Sequence, residues 1–222
     1  MAAETTTNRD ATKKQAILKA AGQVFAREGF RGADVQLIAD RSGVGKGTVY
    51  RYFGDKQDLF WATVDWVVDR LNRHLERAIA EYEQPLDQLT AASVAYGEFF
   101  QENPDDLEIF VLDRAEFRGR APEQRQQRHE KMIQTFTAII QRGIESGQIV
   151  PVDARMAVVL LGSTLYGAVV FAAYPKVQRS IAEMAAFAGE SFIRGIRQPA
   201  TTKPGNSSSA HFTKPNREGG EQ

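Results

Sequence analysis

The stretch GVGKGTVYRYF, Gly43 to Phe53, decides how the whole chain is read. Three glycines within five positions surround Lys46, the composition of a loop that wraps phosphate. A nucleotide loop of the G-x-x-x-x-G-K-[ST] type needs backbone N–H groups around the phosphates and a hydroxyl on Mg²⁺. Here Gly47 follows Lys46 in place of Ser or Thr, and Asp40 stands where the first glycine belongs. The G-x-G-x-x-G pattern fits at Gly43 and Gly45 but meets Thr48 in its last place. No strand-like run precedes either pattern, although both require one. An enzyme built on this loop therefore fails on spacing and on context.

The same residues suit a helix-turn-helix. Val35, Leu37, Ile38 and Ala39 make a short amphipathic helix with Asp34 as its N-cap, and Gly43 supplies the turn. The next helix runs from about Gly45 to Phe53. Such a pair lays its second helix in the DNA major groove. At its leading turn only Gly45 and Gly47 flank Lys46 and Thr48, so the backbone can come close to DNA and its N–H groups can meet phosphate. Val44, Val49 and Phe53 are expected to face inward. Tyr50, Arg51 and Tyr52 project hydrogen-bond donors, the tyrosines combining packing with phosphate contact, and Lys56 adds charge nearby.

Outward from this unit the period stays helical. Ile17, Ala20, Ala21, Val24 and Phe25 form one apolar stripe, which Gly29 stops. Asp55 opens a long helix that Pro85 ends, with acids in its first turn and bases later, as the helix dipole favours. Further helices are expected at about 86–102, 105–118, 122–146, 153–174 and 178–197, with breaks at Asn103-Pro104, Gly119 to Pro122, Gly147 to Pro151 and Pro175. Strand alternation and internal repeats are absent from the pattern. The expectation is an all-α chain of about nine helices, a three-helix head followed by a larger helical bundle. Residues 1–8 and the Pro-, Gly- and Ser-rich 199–222 are expected to be disordered, His211 being solvated there.

The bulk numbers agree with a folded soluble protein. The 222 residues are 42% hydrophobic, 25% charged and 9% aromatic, enough to bury a sizeable core. Without Cys there is no disulfide, thiolate nucleophile or Cys-type zinc site, and the N-terminus lacks the apolar run of a secretory signal; both fit the cytoplasm. The charges balance overall, yet residues 1–56 hold ten Lys/Arg against six Asp/Glu, a net +4, which leaves −4 on the rest. A basic head on an acidic body suits a polyanion partner.

Residues Ile17 through Leu59 resemble the DNA-binding domain of the TetR family of transcriptional regulators. The resemblance rests on AREGF (26–30), Ile38-Ala39, GVGKGTVYRYFGDKQDLF (43–60) and the apolar start of the long helix. Two positions depart from the commonest form: Gly45 replaces Ser at the start of the recognition helix, and Ala33-Asp34 stands where Thr is common. The resemblance implies that Lys46, Gly47 and Thr48 approach base edges behind Gly45, while Tyr50, Arg51, Tyr52 and Lys56 grip phosphates. It implies a homodimer on a palindromic double-stranded DNA operator, with half-sites roughly 34–36 Å apart or multiples of that. It further implies repression relieved by a small-molecule effector, with residues 9–56 as the DNA-binding domain and 57–198 as the ligand-binding and dimerisation domain.

In the body, MAVVLLGSTLYGAVVFAAY (156–174) carries no charge. Its length approaches the roughly 20 residues of a membrane span. The competing reading, a helix buried between two subunits, is preferred because Ser163, Thr164, Tyr166 and two glycines lower its hydrophobicity and no second such run exists. Family architecture puts the last two helices in a four-helix dimer interface, with Leu160, Thr164, Ile181, Met184 and Ala188 as the expected contacts. It also places an effector pocket among the aromatics, for which Trp61, Phe99, Phe110, Arg114, Phe117, Phe136 and Tyr166 are the candidates. Phe110, Arg114 and Phe117 share a helix face, but Arg114 could equally pair with a surface carboxylate on that charge-dense helix. Such a pocket would take a lipophilic effector, anionic or planar. A body that answers to a protein partner instead is the competing reading. His74 and His129 lack ligand spacing, so neither a metal nor any other cofactor is expected, and no catalytic constellation emerges.

Overall fold

The structure is a computed structural model that describes residues 2–117, 123–172 and 178–199, with side chains within 9–116, 130–172 and 178–199. Among these the architecture is all-α. Nine helices follow one another: α1 (Ala2–Gly32), α2 (Val35–Ser42), α3 (Lys46–Phe53), α4 (Lys56–Ala80), α5 (Pro85–Glu102), α6 (Pro104–Phe117), α7 (Glu123–Glu145), α8 (Ala154–Ala172) and α9 (Ile181–Ile196). The only extended pairing among the described residues is an isolated bridge between Ile149 and Arg197.

The first three helices and the start of α4 share one core. Ile17, Ala21, Val24 and Phe25 of α1 are buried, as are Ile38 and Ala39 of α2, Val49 and Phe53 of α3, and Leu59 and Phe60 of α4. Phe25 and Phe30 both meet the Phe60 ring edge-on, at 5.1 and 5.3 Å between centroids. The expected head boundary at 56/57 is therefore crossed by α4, whose first turns belong to the head's core. The regular course of α1 breaks at Gly29 (φ 70°, ψ 169°), a conformation that costs glycine little. At its other end α1 begins at Ala2, inside the segment 1–8 expected to lack structure.

In the body α5 lies between α4 and α9. The seam with α9 is tight enough to require glycines. A Cβ on Gly97 would lie 2.6 Å from the Ala185 Cβ, and one on Gly189 would run into Ser93. Helix α4 stops at Ala80, before the expected end at Pro85, and its last turn is closed from outside. The Gln88 amide of α5 donates to the Ile79 and Tyr82 carbonyls at 3.2 and 2.9 Å, and its oxygen accepts from Arg142 of α7. Across α4 and α6, Arg70 pairs with the buried Asp106 at 2.5 Å and donates to the Asn103 side chain. Burial pushes the Asp106 carboxyl above its ordinary pKa, and Arg70 opposes that shift.

Helix α8 packs on α7 and α9 but keeps a stripe outward. Met156 (55% exposed), Leu160 (51%) and Phe171 (62%) lie along it, and Phe187 of α9 (68%) is also exposed. By length and composition α8 is the one helix among the described residues that could cross a membrane, and 39% of its apolar window is buried. Residues 173–177 and the tail 200–222 lie outside the described residues.

Candidate DNA-binding face and effector cavity

The turn between α2 and α3 is built from local hydrogen bonds. Asp34 caps α2, its Oδ1 accepting the Gln36 N–H at 2.8 Å. Gly43 takes the left-handed conformation (φ 69°) that closes a helix, with its N–H turned back to the Ala39 and Asp40 carbonyls. Gly45 then starts α3 in extended backbone, without a side-chain cap. A Cβ placed on Gly45 or Gly47 would meet nothing within 4 Å. Neither glycine is demanded by the packing around it, and together they leave the leading turn of α3 clear of side chains.

Beside them Tyr50 is 40% exposed and Arg51 is exposed, while Lys46 and Thr48 are half-buried. The Lys46 ammonium rests 3.9 Å from Asp34. This leaves Gly45, Lys46, Gly47, Thr48, Tyr50 and Arg51 on one accessible edge. Tyr52 and Lys56 also have partners within the head. The Tyr52 hydroxyl donates to Asp10 Oδ1 at 2.6 Å, which raises its pKa, and the Arg51 guanidinium lies over its ring. The Lys56 ammonium donates to the Arg31 carbonyl at 3.0 Å and lies over Phe30. Lys56 thereby closes the C-terminal end of α1, a favourable place for a cation. Asp10 sits more than forty residues away in sequence, so spacing could not reveal its partnership with Tyr52.

The body holds a cavity of about 590 Å³, open to the surface on one side and walled by α4, α5, α6, α7 and α8. That lies within the roughly 300–1,000 Å³ typical of small-molecule sites. Leu71, Leu75, Ile133, Val158, Leu161 and Leu165 supply apolar wall. Four of the expected pocket residues, Phe110, Arg114, Phe136 and Tyr166, line it. Among the described residues Arg114 forms no ion pair; its guanidinium lies over the Tyr166 ring at 5.2 Å. Trp61 and Phe99 do not line it. Phe99 is buried between α4 and α5 against Phe100, His74 and Arg70, while Trp61 packs on the core as a half-buried residue. The Phe117 side chain lies outside the described residues.

Sequence reasoning missed several polar members of the wall: Asp65, Asn72, Tyr96, Glu130 and Arg155. The Phe110–Arg114 spacing pointed to their helix face, but nothing local indicated which side of α5 turns Tyr96 inward. Glu130 and Arg155 pair through both guanidinium nitrogens, at 2.6 and 2.8 Å, and tie α7 to α8. The Tyr96 phenol is held well above its ordinary pKa, first by burial and then by Tyr166, with Arg114 pulling the other way.

Of the expected dimer contacts, Leu160 and Thr164 lie on the exposed face of α8, whereas Ile181, Met184 and Ala188 are half-buried on α9. No cluster of His, Asp or Glu suited to a metal occurs among the described residues.

Comparison with known proteins agrees with this division. Residues 17–63 match the family described as bacterial regulatory proteins, tetR family, and residues 82–169 match the tetracyclin repressor-like C-terminal domain. The HTH-type transcriptional regulator YhgD of Bacillus subtilis is 30% identical over 165 residues, covering 72% of this chain and 83% of its own. Among solved structures, the fatty acid degradation regulator FadR of Bacillus halodurans superposes with a TM-score of 0.72 at 19% identity, over 82% of this chain and 94% of that one. The transcriptional regulator FadR of Bacillus subtilis, solved in complex with stearoyl-CoA, gives 0.69 at 23% identity, over 82% and 98%.

Proposed function

The chain belongs to the TetR family of bacterial transcriptional regulators, and on that premise we propose that it is a cytoplasmic homodimeric repressor, released from a palindromic operator by a small lipophilic effector. The observation that carries this reading is the position of α6. One face of α6 lines the apolar cavity through Phe110, Asp113 and Arg114, while the helix also packs on α1 of the head. At that contact Glu116 meets Arg31 at 3.4 Å. Arg31 is also the residue whose carbonyl Lys56 caps, so cavity and head share a continuous set of packed elements. A ligand that prefers one setting of α6 shifts the population of head arrangements, and operator affinity changes by the same coupling free energy.

Residues 9–56 with the first turns of α4 would form the DNA-reading unit, and the remainder to 198 the sensing and pairing unit. The exposed stripe of Met156, Leu160 and Phe171, with Phe187, would be covered by a second copy. That cover makes a membrane role for α8 unnecessary. The stearoyl-CoA bound by the Bacillus subtilis FadR supports a lipophilic effector in this fold. A cavity of about 590 Å³, of the size small-molecule sites have, favours a small-molecule effector over a protein partner.

Selection from random duplexes should enrich an inverted repeat. Lys46→Ala should weaken binding to it by about 1–3 kcal/mol while leaving the dimer intact. Affinity should fall with salt at a log–log slope near ~−0.9 per phosphate contacted. Enrichment of no sequence, or unchanged affinity in Lys46→Ala, would sink the assignment of α3 as the reading helix.

A further inference from the structure

The cavity's polar groups are not equivalent. Its acids are already engaged: Glu130 is held by Arg155, and Asp65 and Asp113 each have a polar contact of their own. The donors on the α5, α6 and α8 walls are in a different state. Neither the Tyr96 nor the Tyr166 hydroxyl has a hydrogen-bond partner among the described residues, and Arg114 has only the Tyr166 ring beneath it. Tyr166 and Arg114 are near enough to Tyr96 to shift its titration in opposite senses. A phenol is protonated at neutral pH in any case, and burial moves Tyr96 further from ionising, so it is a donor.

Two phenols and a guanidinium thus come together, without a hydrogen-bond partner among the described residues, at the edge of a cavity whose wall also holds acids that are already engaged. Arg114 is exposed and Tyr96 and Tyr166 are half-buried, so water meets these donors in the free protein, and a charged acceptor that replaces that water gains the most from them. A guanidinium fork matches the two oxygens of a carboxylate. The chamber's 590 Å³ corresponds to room for about twenty water-sized groups, which suits a hydrocarbon chain or a fused ring system.

We propose that the effector is a lipophilic carboxylate, its head received by Arg114, Tyr96 and Tyr166 and its apolar body lying along Leu71, Leu75, Ile133 and Leu165. This rests on the reading of the cavity as the effector site. The acid could arrive free or as an acyl thioester whose carbonyl meets the same donors, and the carboxylate is the form the paired donors favour.

Calorimetry on the full-length protein separates these possibilities, using dodecanoate, dodecanol, dodecyltrimethylammonium and dodecanoyl-CoA below their micellar concentrations. Dodecanoate should bind about ten- to a hundredfold more tightly than dodecanol, the range expected for one charge-assisted hydrogen bond. In a triple variant, Arg114→Gln with Tyr96→Phe and Tyr166→Phe, that ratio should collapse towards unity. Retained dodecanol binding by the same variant shows that its chamber is folded. Equal binding of acid and alcohol by the wild type, tighter binding of the ammonium, or binding of the thioester without the free acid each overturns the head-group assignment while the effector site stands. If none of the four binds while operator binding persists, the effector reading itself fails and takes this inference with it.

Discussion

Two regions of this molecule use glycine for opposite purposes. In the recognition helix, Gly45 and Gly47 have empty space where a side chain would begin. In the seam between α5 and α9, Gly97 and Gly189 have a neighbouring helix there instead. A crowded glycine is explained by the fold around it. An open glycine with ordinary backbone is not, and on the leading turn of α3 it leaves room that a partner can use. The comparison separates what the chain needs in order to fold from what it needs in order to read DNA, without appeal to any relative.

The sharpest way to break this contrast is Gly189→Val. Its side chain has to displace Ser93 or move α9, so it should lower stability by about 1–3 kcal/mol, the usual size of overpacking. Urea denaturation measures the loss. An unchanged midpoint would mean that the seam is looser than described. Gly47→Ala should act with the opposite sign on folding, raising stability by about 0.4–1 kcal/mol through the unfolded chain. The same variant should bind operator more weakly in a fluorescence anisotropy titration. If DNA affinity is preserved, the open space at Gly47 is not the partner's. The smallest effect belongs to Gly45→Ser, which supplies α3 with the side-chain cap it lacks. A gain of a few tenths of a kcal/mol is expected, since glycine is only slightly poorer than serine there. A large change in either direction would show that Gly45 does more than begin the helix.

Much of the fold was legible because local signals and tertiary structure agreed. The Ile17-to-Phe25 stripe, the Asp34 and Asp55 caps and the Gly43 turn all appear as their residue types suggest. The end of α4 was not legible. Pro85 lies at the start of α5, and the turn that closes α4 depends on Gln88 reaching back to two carbonyls. No local rule assigns that task to a glutamine in the next helix. The cavity was half legible for a similar reason. Helical spacing brought Phe110 and Arg114 to one face, and both line it. Aromatic content alone could not distinguish Phe99, locked into the core, from Tyr96 one turn earlier and turned towards the chamber. In the head, composition marked Tyr52 and Lys56 as donors, but their partners Asp10 and Arg31 are brought to them only by the folding of α1 against α3 and α4.

The shared core of α4 has a practical consequence for anyone building hybrid sensors from this protein. A cut at the sequence boundary near residue 57 would sever Phe60 from Phe25 and Phe30 and strand the base of the head. A transplantable head has to carry α4 past Phe60 and retain, or replace in kind, the surface of α1 on which α6 packs. The natural joint for recombination is a helix surface rather than a point along the chain.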